Sequence, residues 1–373
     1  MEDLIEEIAG LKDEKTALAS LIWSSGSIPM SERAKMLVKE DGKLLGTIGG
    51  GCLEAEILNA GREVIETNTP HLTCYTMTEK QAGESGLNCG GSVRIYTEPV
   101  DLQSGVVMYR EIHRARIERK GCIMATLLDV SRPAKAGCGK MLVYEDGTRS
   151  GTLGLGEADQ QVLNNVEKVL AREGGLLVEL ELDSDQASGP LLASDRAVEV
   201  FIEPFLPAPV LYVFGGGHVG GQICKLAKNV GFQVVVIDDR PMFANASRHP
   251  DADDHVVEEM DRVFQELELD EQSYIVAATR GHQHDEIVVE QAIRTPARYI
   301  GMLGSERKKM LMWKRLVERG GSRQRLDQVY APIGFNIGAD TPEEIAVSVV
   351  AELIKVRRGS RKAWKTKLME AVV

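Results

Sequence analysis

The chain repeats one pattern of residues at a fixed spacing of 105 positions. Three segments recur with that spacing: 35–42 at 140–147, 46–49 at 151–154, and 93–99 at 198–204. An upstream apolar segment, 18–22, recurs one position further along, at 124–128. These matches predict a tandem duplication of one α/β unit, with repeats at about 1–100 and 121–205. Because two copies are too few for a solenoid, we expect them to pack as two halves of one domain, 1–205.

Each repeat has the same predicted order of elements. In the first copy an apolar strand at 17–23 precedes a strand that turns at 40–42, and a glycine-rich turn then leads into a helix from near Leu53. A last strand at 93–97 closes the repeat before a Glu-Pro pair. The apolar residues Leu53, Ile57, Val64 and Ile65 fall near a helical period, which indicates the helix.

The second half of the chain alternates apolar strands with helical stretches. A proline-rich stretch, 203–209, contains a linker at 206–209, because proline blocks helix and central strand. Beyond it, five strands are predicted: 210–214, 234–237, 274–278, 299–303 and 329–331. Such alternation is typical of a doubly wound parallel sheet, here at 210–357 and followed by a basic tail at 358–373. The predicted fold class is therefore α/β, with a duplicated N-terminal domain and a C-terminal doubly wound domain.

A glycine fingerprint follows the first strand of that second domain. Gly215, Gly217 and Gly220 have the spacing G-x-G-x-x-G, a helix follows, and the next strand ends in Asp238. This is the pattern of a Rossmann-like turn, in which the helix N-terminus binds phosphate and the acid meets a ribose diol. We expect NAD(P) or another phosphorylated ligand here. His218, inside the turn, is either a contact to that ligand or a steric filler.

Further polar residues follow the other predicted strands of the same sheet. Arg280 and Lys308 are candidates to pair with phosphate, because ligands of open α/β sheets bind at the carboxyl ends of the strands. For Lys308 we favour the alternative, a position on an exposed helix face. His282, with His284 and Asp285, has two interpretations, a metal site or a polar lining of the crevice. We favour the polar lining because the spacing matches no metal template.

Two cysteines beside glycines in the first repeat, Cys52 and Cys89, have no cysteine at the corresponding position of the second. Gly49, Gly50 and Gly51 precede Cys52 at the predicted start of a helix, and Cys89 lies between an Asn and two glycines. The second repeat has Glu157 and Ser194 at the corresponding positions. A thiol at a helix N-terminus favours the thiolate, which is a nucleophile and a soft metal ligand. Both cysteines are therefore candidates to hold a soft metal, a sulfur-bearing group or a covalent adduct. The alternative is that they are two small buried residues.

Composition narrows the function classes. The 373 residues include 44 Lys and Arg against 56 Asp and Glu, a formal net charge of −12, which disfavours nucleic acid and anionic membranes as partners. No apolar run reaches the roughly 18 residues that a membrane span needs, and the N-terminus is acidic where a signal peptide is basic. The six cysteines include no C-x-x-C pair. We expect a cytoplasmic protein with free thiols.

Together these motifs resemble the XdhC/CoxI family of xanthine dehydrogenase accessory factors. Seven motifs carry the resemblance: Ala-Lys-Met-Leu-Val at 34–38, Gly-Gly-Gly-Cys-Leu-Glu at 49–54, Gly-Leu-Asn-Cys-Gly-Gly at 86–91, the glycine turn at 215–220, Thr-Arg-Gly-His at 279–282, Gly-Met-Leu-Gly-Ser at 301–305 and the stretch from Ala331 to Glu344. The motifs are spread over nearly the whole length of the chain, and the tail lies beyond the last of them. One departure is segment 28–33, where the family usually carries a second proline and a glycine.

The resemblance implies a role in cofactor maturation. Family members bind molybdenum cofactor (molybdopterin), shield it, promote its sulfuration and deliver it to a molybdenum hydroxylase apoprotein, working with a cysteine desulfurase. The implied sites are the glycine turn for the phosphate and the two thiols for the metal end. A homodimer is a further hypothesis.

Two other functions remain open from the sequence. One is an NAD(P)-dependent oxidoreductase with Cys52 as a redox-active thiol, although no clear catalytic acid–base pair is present. The other is a structural adaptor whose sheet carries no ligand. Whether the chain is an enzyme is therefore left open, with an accessory protein favoured.

Overall fold

A computed structural model describes residues 2–26, 28, 30–31, 33–49, 52–76, 91–103, 105–128, 139–170, 174–181 and 197–358. The chain forms two compact units, Met1–Pro207 and Ala208–Val373. Within the described residues, no helix has the length and apolar character needed to cross a membrane.

The first unit contains two five-stranded antiparallel sheets, one from each repeat. The first repeat comprises α1 (Glu2–Gly10), β1 (Thr16–Ser25), β2 (Lys35–Lys39), β3 (Leu44–Thr47), α2 (Cys52–Thr67), β4 (His71–Thr76) and β5 (Ser92–Pro99). The second comprises α3 (Gly105–Ile117), β6 (Cys122–Leu127), β7 (Lys140–Tyr144), β8 (Arg149–Thr152), α4 (Gly156–Leu163), α5 (Val166–Leu170), β9 (Leu176–Glu181) and β10 (Ala197–Phe205). Helix α3, which the sequence patterns did not reveal, precedes the second sheet as α1 precedes the first.

The two sheets have the same topology and matching register. Their strand orders are β3-β2-β1-β5-β4 and β8-β7-β6-β10-β9. Val38 lies opposite Ala17 in the first sheet, and Val143, 105 positions later, lies opposite Ile123 in the second. Ala17 and Ile123 are 106 positions apart, so the second repeat is one residue shorter between its first two strands. This accounts for the shifted match of segments 18–22 and 124–128 in the sequence.

Equivalent apolar residues of the two repeats pack against each other. Tyr96 and Leu72 of the first repeat share a buried cluster with Phe201 and Leu177, which lie 105 positions later. A second cluster joins α1 and α3 to both sheets through residues such as Leu18, Leu142 and Tyr109. The burial of matched side chains indicates approximate two-fold symmetry between the repeats.

Ion pairs between the repeats obey the same symmetry. Lys35 Nζ lies 2.9 Å from Glu203 Oε2, and its equivalent Lys140 Nζ lies 2.6 Å from Glu98 Oε1. A third pair joins two positions that are equivalent to each other. In it the Arg94 guanidinium donates two hydrogen bonds of 2.7 Å to the Glu199 carboxylate.

The Glu-Pro pairs are part of the strands that they were expected to end. Strand β5 has Pro99 as its last residue, and β10 continues through Pro204 to Phe205. Pro204 lies opposite Ile123 of β6, beyond the last residue of β10 that pairs with β9, so its missing N–H removes no ladder hydrogen bond on that side. The strand positions of Glu98 and Glu203 allow both carboxylates to reach the lysines of the opposite repeat.

The second unit is a doubly wound parallel sheet. It comprises β11 (Val210–Phe214), α6 (His218–Asn229), β12 (Gln233–Ile237), β13 (Asp254–Val256), β14 (Ser273–Ala277), α7 (His282–Ala292), β15 (Tyr299–Met302), α8 (Glu306–Glu318), α9 (Arg323–Leu326) and α10 (Pro342–Arg358), with a 3-10 turn at Val263–Gln265. The strand order is β13-β12-β11-β14-β15. Helices α6 and α10 pack on one face of this sheet, and α7 and α8 pack on the other. The predicted α/β fold class is confirmed.

The fifth predicted strand of the second unit is not a strand. Residues 329–331 form only a single parallel bridge, between Tyr330 and Gly301. Short strand β13, which the hydrophobic pattern did not predict, instead forms the opposite edge of the sheet beside β12. Its residues Asp254, His255 and Val256 are not a continuous apolar run, which is why the pattern gave no signal there.

The buried pair between the repeats gives a stability prediction. Both Lys35 and Glu203 have only 7% of their side chains exposed, so Lys35→Met leaves a buried carboxylate without its cation. We expect the free energy of unfolding, measured by urea denaturation, to fall by about 3 kcal/mol. The double variant Lys35→Met/Glu203→Leu should recover most of this loss. Arg323→Met, which breaks an exposed pair with Asp327, is the control and should cost less than about 0.5 kcal/mol. An equal loss in the single and double variants would contradict the prediction.

Candidate functional site

The three glycines of the turn after β11 have three different structural roles. Gly215 has a φ of +112°, and a side chain there would meet the Ala278 carbonyl oxygen at 2.2 Å. A Cβ at Gly220 would lie 1.9 Å from the Gly215 carbonyl oxygen, so Gly220 permits the close approach of helix and turn. Gly217 precedes α6 and has open space where a Cβ would be. The first N–H groups of α6 therefore face an accessible position that suits an anion.

Asp238 binds the glycine turn itself. It is 1% exposed, and its Oδ2 accepts a hydrogen bond of 3.0 Å from the Gly216 N–H. Arg240 donates to both oxygens, at 2.9 Å from Nε and 3.1 Å from Nη2. Burial disfavours the ionised form, but the hydrogen bonds from Arg240 and Gly216 outweigh it and hold the pKa of Asp238 below its ordinary value. The carboxylate expected to meet a ribose diol is thus engaged within the protein.

The segment after Asp238 folds back over the turn. The Arg240 guanidinium lies 3.7 Å from the centre of the Phe243 ring, and that of Arg248 lies 4.6 Å from it. Arg248 Nε donates to the Gly216 carbonyl oxygen at 3.0 Å. A Cβ at Gly216 would lie 1.9 Å from the Phe243 carbonyl oxygen. The protein's own residues therefore occupy the side of the turn where a dinucleotide would place its adenosine ribose.

Helix α7 begins beside this turn because β14 is the parallel neighbour of β11. Arg280 Nη2 donates to Asp239 Oδ2 at 2.6 Å, which links the residues after β14 to those after β12. His282 is the first residue of α7 and is exposed. Arg280 therefore already has a carboxylate partner, and ligand binding by Arg280 or His282 stays a prediction.

The alternative of a metal site at His282, His284 and Asp285 has no support in the geometry. Thr279 donates to Asp285 Oδ1 through its hydroxyl, at 2.6 Å, and through its N–H, at 3.1 Å. Burial raises the pKa of Asp285 above its ordinary value, and the Thr279 hydrogen bonds oppose this shift. Among the described residues, no three His, Cys, Asp or Glu side chains form a group that could hold a metal ion.

The loop before Cys52 is fastened by the same contacts in both repeats. Thr47 Oγ1 donates to Glu54 Oε1 at 2.6 Å, and the equivalent Thr152 donates to Asp159 Oδ2 at 2.7 Å. Gly49 has a φ of +111°, and α2 begins at Cys52. Because both loops share this scaffold, the cysteine in place of the equivalent Glu157 is not needed to build the loop.

The two cysteine-bearing segments leave the first sheet at the same end. Strand β3 ends at Thr47, opposite Lys35, and Cys52 follows that end. Strand β4 ends at Thr76, opposite Ser92 at the start of β5. Segment 77–90, which includes Cys89, follows the end of β4 and leads to β5. This segment lies outside the described residues, as do Gly50 and Gly51. The assignment of Cys52 and Cys89 as metal ligands stays a prediction.

Comparisons with known proteins identify both units. The XdhC and CoxI family model matches residues 11–76 and 115–181, one segment in each repeat, and the XdhC Rossmann domain model matches residues 211–353. The chain belongs to the XdhC and CoxI family.

Relatives of this XdhC-family chain extend over most of its length. A Bacillus subtilis protein, described as a probable xanthine dehydrogenase subunit, is 26% identical over 92% of the chain and 94% of the relative. "Molybdenum cofactor insertion chaperone PaoD" of Escherichia coli is 23% identical over 91% of the chain and 83% of the relative. A crystal structure described as a xanthine dehydrogenase from Bacillus halodurans superposes with a TM-score of 0.74, at 26% identity and 97% coverage of both chains.

Sequence reasoning missed the residues that close the turn of this XdhC-family chain. Arg240, Phe243, Arg248 and His249 surround Gly216, yet none belongs to the glycine fingerprint. A signal was present, because Arg240 follows the strand-end acid by two residues and could reach back to neutralise it. Phe243 takes part through its ring and its carbonyl oxygen, and His249 takes part through its ring nitrogen. Such contacts leave no periodic pattern in a sequence.

The glycine roles predict opposite outcomes for two matched substitutions. Gly220→Ala brings a methyl group against a backbone oxygen, so we expect the free energy of unfolding to fall by at least about 2 kcal/mol. Gly217→Ala, at a φ of −71° with open space around it, should change the free energy by less than about 1 kcal/mol. Urea denaturation of the two variants measures both. Similar losses in the two variants would show that Gly217 is also required by packing.

Proposed function

We propose that this chain is a maturation chaperone that binds molybdenum cofactor and supports its sulfuration and its insertion into a xanthine dehydrogenase-type molybdenum hydroxylase. The observation that carries the proposal is the glycine turn. It keeps an open helix N-terminus for a phosphate, while the acid that a dinucleotide would need is bound to Gly216 and Arg240. Molybdenum cofactor carries a phosphate, a pterin, a dithiolene and a metal.

The phosphate end of this cargo fits the start of α6. Twelve residues of helix give the N-terminus a positive dipole end, and Gly217 leaves space for an oxygen-rich group above it. His218, exposed as the first residue of α6, borders the same space and can donate a hydrogen bond to a phosphate oxygen. The chain's own contribution here is to bind and orient the phosphate.

The metal end of the cargo is assigned to Cys52 and Cys89. Cys52 is the first residue of a sixteen-residue helix, where the N-terminal dipole favours a thiolate. Thiolate sulfur is a ligand suited to a soft metal or to a sulfur-bearing group. The second repeat keeps the Thr and acid contacts of the loop but has Glu157 in place of the thiol, which supports a chemical role for Cys52.

Partners follow from the relatives' names and from the family resemblance. One relative is named as an insertion chaperone, and another is named as part of a xanthine dehydrogenase. We propose that this chain meets a molybdenum hydroxylase apoprotein and a cysteine desulfurase in the cytoplasm, and that it acts as a homodimer. Neither nucleic acid nor a membrane is part of the proposal.

An NAD(P)-dependent oxidoreductase with a redox-active cysteine is the second candidate function. The G-x-G-x-x-G turn favours it, but the contacts of Asp238 and the segment containing Phe243 oppose a bound adenosine. We expect NADH to bind at least tenfold more weakly than molybdopterin in equilibrium titrations of the purified chain. Tighter binding of NADH, with turnover in the presence of a pterin or quinone, would favour the oxidoreductase.

The thiol assignment is tested by Cys52→Ser. We expect at least a tenfold loss of affinity for molybdenum cofactor, because the serine hydroxyl is not ionised at neutral pH and is a poor soft-metal ligand. Binding is measured on the purified chain by co-elution and by equilibrium titration. The matched control is Glu157→Ser, at the equivalent position of the second repeat, which should retain affinity. Unchanged affinity in both Cys52→Ser and Cys89→Ser, with the fold intact by circular dichroism, would contradict the assignment.

A further inference from the structure

A cavity of about 340 Å³ lies between α6 and the segment 248–251. Its polar lining comes from His218, Gln222 and Lys225 on the helix and from Arg248, His249 and Asp251 on the segment. Its volume falls in the range of small-molecule sites, about 300–1,000 Å³. It extends from the open position at Gly217 along the flank of the helix, beyond the contacts described above.

His249 has a defined tautomer. Its Nε2 lies 3.1 Å from the Gly216 carbonyl oxygen and 2.9 Å from the Phe243 carbonyl oxygen. Both neighbours are acceptors, so Nε2 carries the hydrogen. Burial lowers the pKa of His249 and favours the neutral ring at neutral pH. The other nitrogen, Nδ1, is therefore a hydrogen-bond acceptor.

The Nδ1 atom of His249 borders the cavity. The side chain is about nine-tenths buried, and Nδ1 makes no hydrogen bond to the described residues. A Cβ built on Gly221 would lie only 3.3 Å from Nδ1, and Gly221 lines the same cavity. The absence of a side chain at Gly221 thus leaves Nδ1 as a fixed acceptor that is open to the cavity and within reach of a ligand.

The cavity lining contains both cationic groups and hydrogen-bond acceptors. Lys225 and Arg248 are cationic, and the start of α6 adds its positive dipole end at His218. Arg248 is held in place by its hydrogen bond to the Gly216 carbonyl oxygen and by the Phe243 ring. Asp251 contributes a carboxylate, a second acceptor besides His249 Nδ1. This lining suits an occupant that combines an anionic group with N–H donors.

We propose that this cavity binds a phosphorylated nitrogen heterocycle with an amino-substituted edge. The phosphate is held by Lys225, Arg248 and the start of α6, and the amino edge donates to Asp251 and to His249 Nδ1. Adjacent N–H donors of this kind occur in the aminopyrimidinone ring that guanine nucleotides and pterins share. Guanine nucleotides and pterin phosphates are thus the two possible ligands. The inference rests on the proposed function only for the second of them.

The test compares two nucleotides that differ in one amino group. Isothermal titration of the full chain with 5′-GMP and 5′-IMP should show at least tenfold tighter binding of GMP, because IMP lacks the 2-amino donor. Asp251→Asn should weaken GMP about tenfold and abolish the preference over IMP. Lys225→Gln should weaken both nucleotides to a similar extent. Asp254→Asn, an exposed carboxylate outside the cavity, is the control and should leave both affinities unchanged.

A third probe, 6-hydroxymethylpterin phosphate, separates the two sources. Binding of this probe but not of GMP, lost in Asp251→Asn, supports the site with a pterin as its ligand. Binding of neither probe overturns the inference, as does binding that Asp251→Asn and Lys225→Gln both leave intact. Inorganic phosphate that binds as tightly as GMP overturns the heterocycle assignment. Molybdopterin is also titrated against two variants. If Gly217→Ala weakens its binding and Asp251→Asn does not, this inference is wrong while the proposed function remains.

Discussion

The candidate site of the second unit depends on the hydrogen bonds that the buried Asp238 carboxylate accepts. It binds the Gly216 N–H and the Arg240 guanidinium together, so one side chain fixes both the glycine turn and the segment that follows β12. That segment then supplies Phe243, Arg248 and His249, which contact Gly216 or its carbonyl group. These hydrogen bonds occupy the carboxylate, so it is unavailable to a ribose. The interaction that builds the glycine turn therefore also disfavours a dinucleotide as the ligand of the turn.

In the first unit the corresponding constraint is the symmetry of the duplication. Lys35 and Lys140 pair with the glutamates of the opposite repeat, and both glutamates precede a proline. The packing of the repeats therefore accounts for these residues. The symmetry separates residues that build the domain, which are matched in the two repeats, from residues that are present in one repeat alone.

Much of this architecture was predictable from the sequence because it depends on short-range patterns. The repeat spacing predicted a duplicated α/β unit, and each copy forms a sheet of the same topology. The glycine spacing after 210–214 predicted the turn and the start of α6. The sequence could not predict the partners of Asp238, because Arg240 and the Gly216 N–H meet it only through the path of the folded chain. Nor did it predict β13 or α3. Strand β13 is only three residues long and is not an apolar run, and α3, the first element of the second repeat, lies outside the segments that recur at the 105-residue spacing.

The asymmetry of the two repeats bears most directly on chemistry. Thr47 and Glu54 hold one loop, and Thr152 and Asp159 hold its equivalent, so the loop fold is independent of the residue at position 52. The second repeat has the half-buried, charged Glu157 at the equivalent position. A chemical role for Cys52 stays a proposal, and Glu157 is the internal comparison for it. The same reasoning makes the second repeat the internal reference for any measurement made on the first.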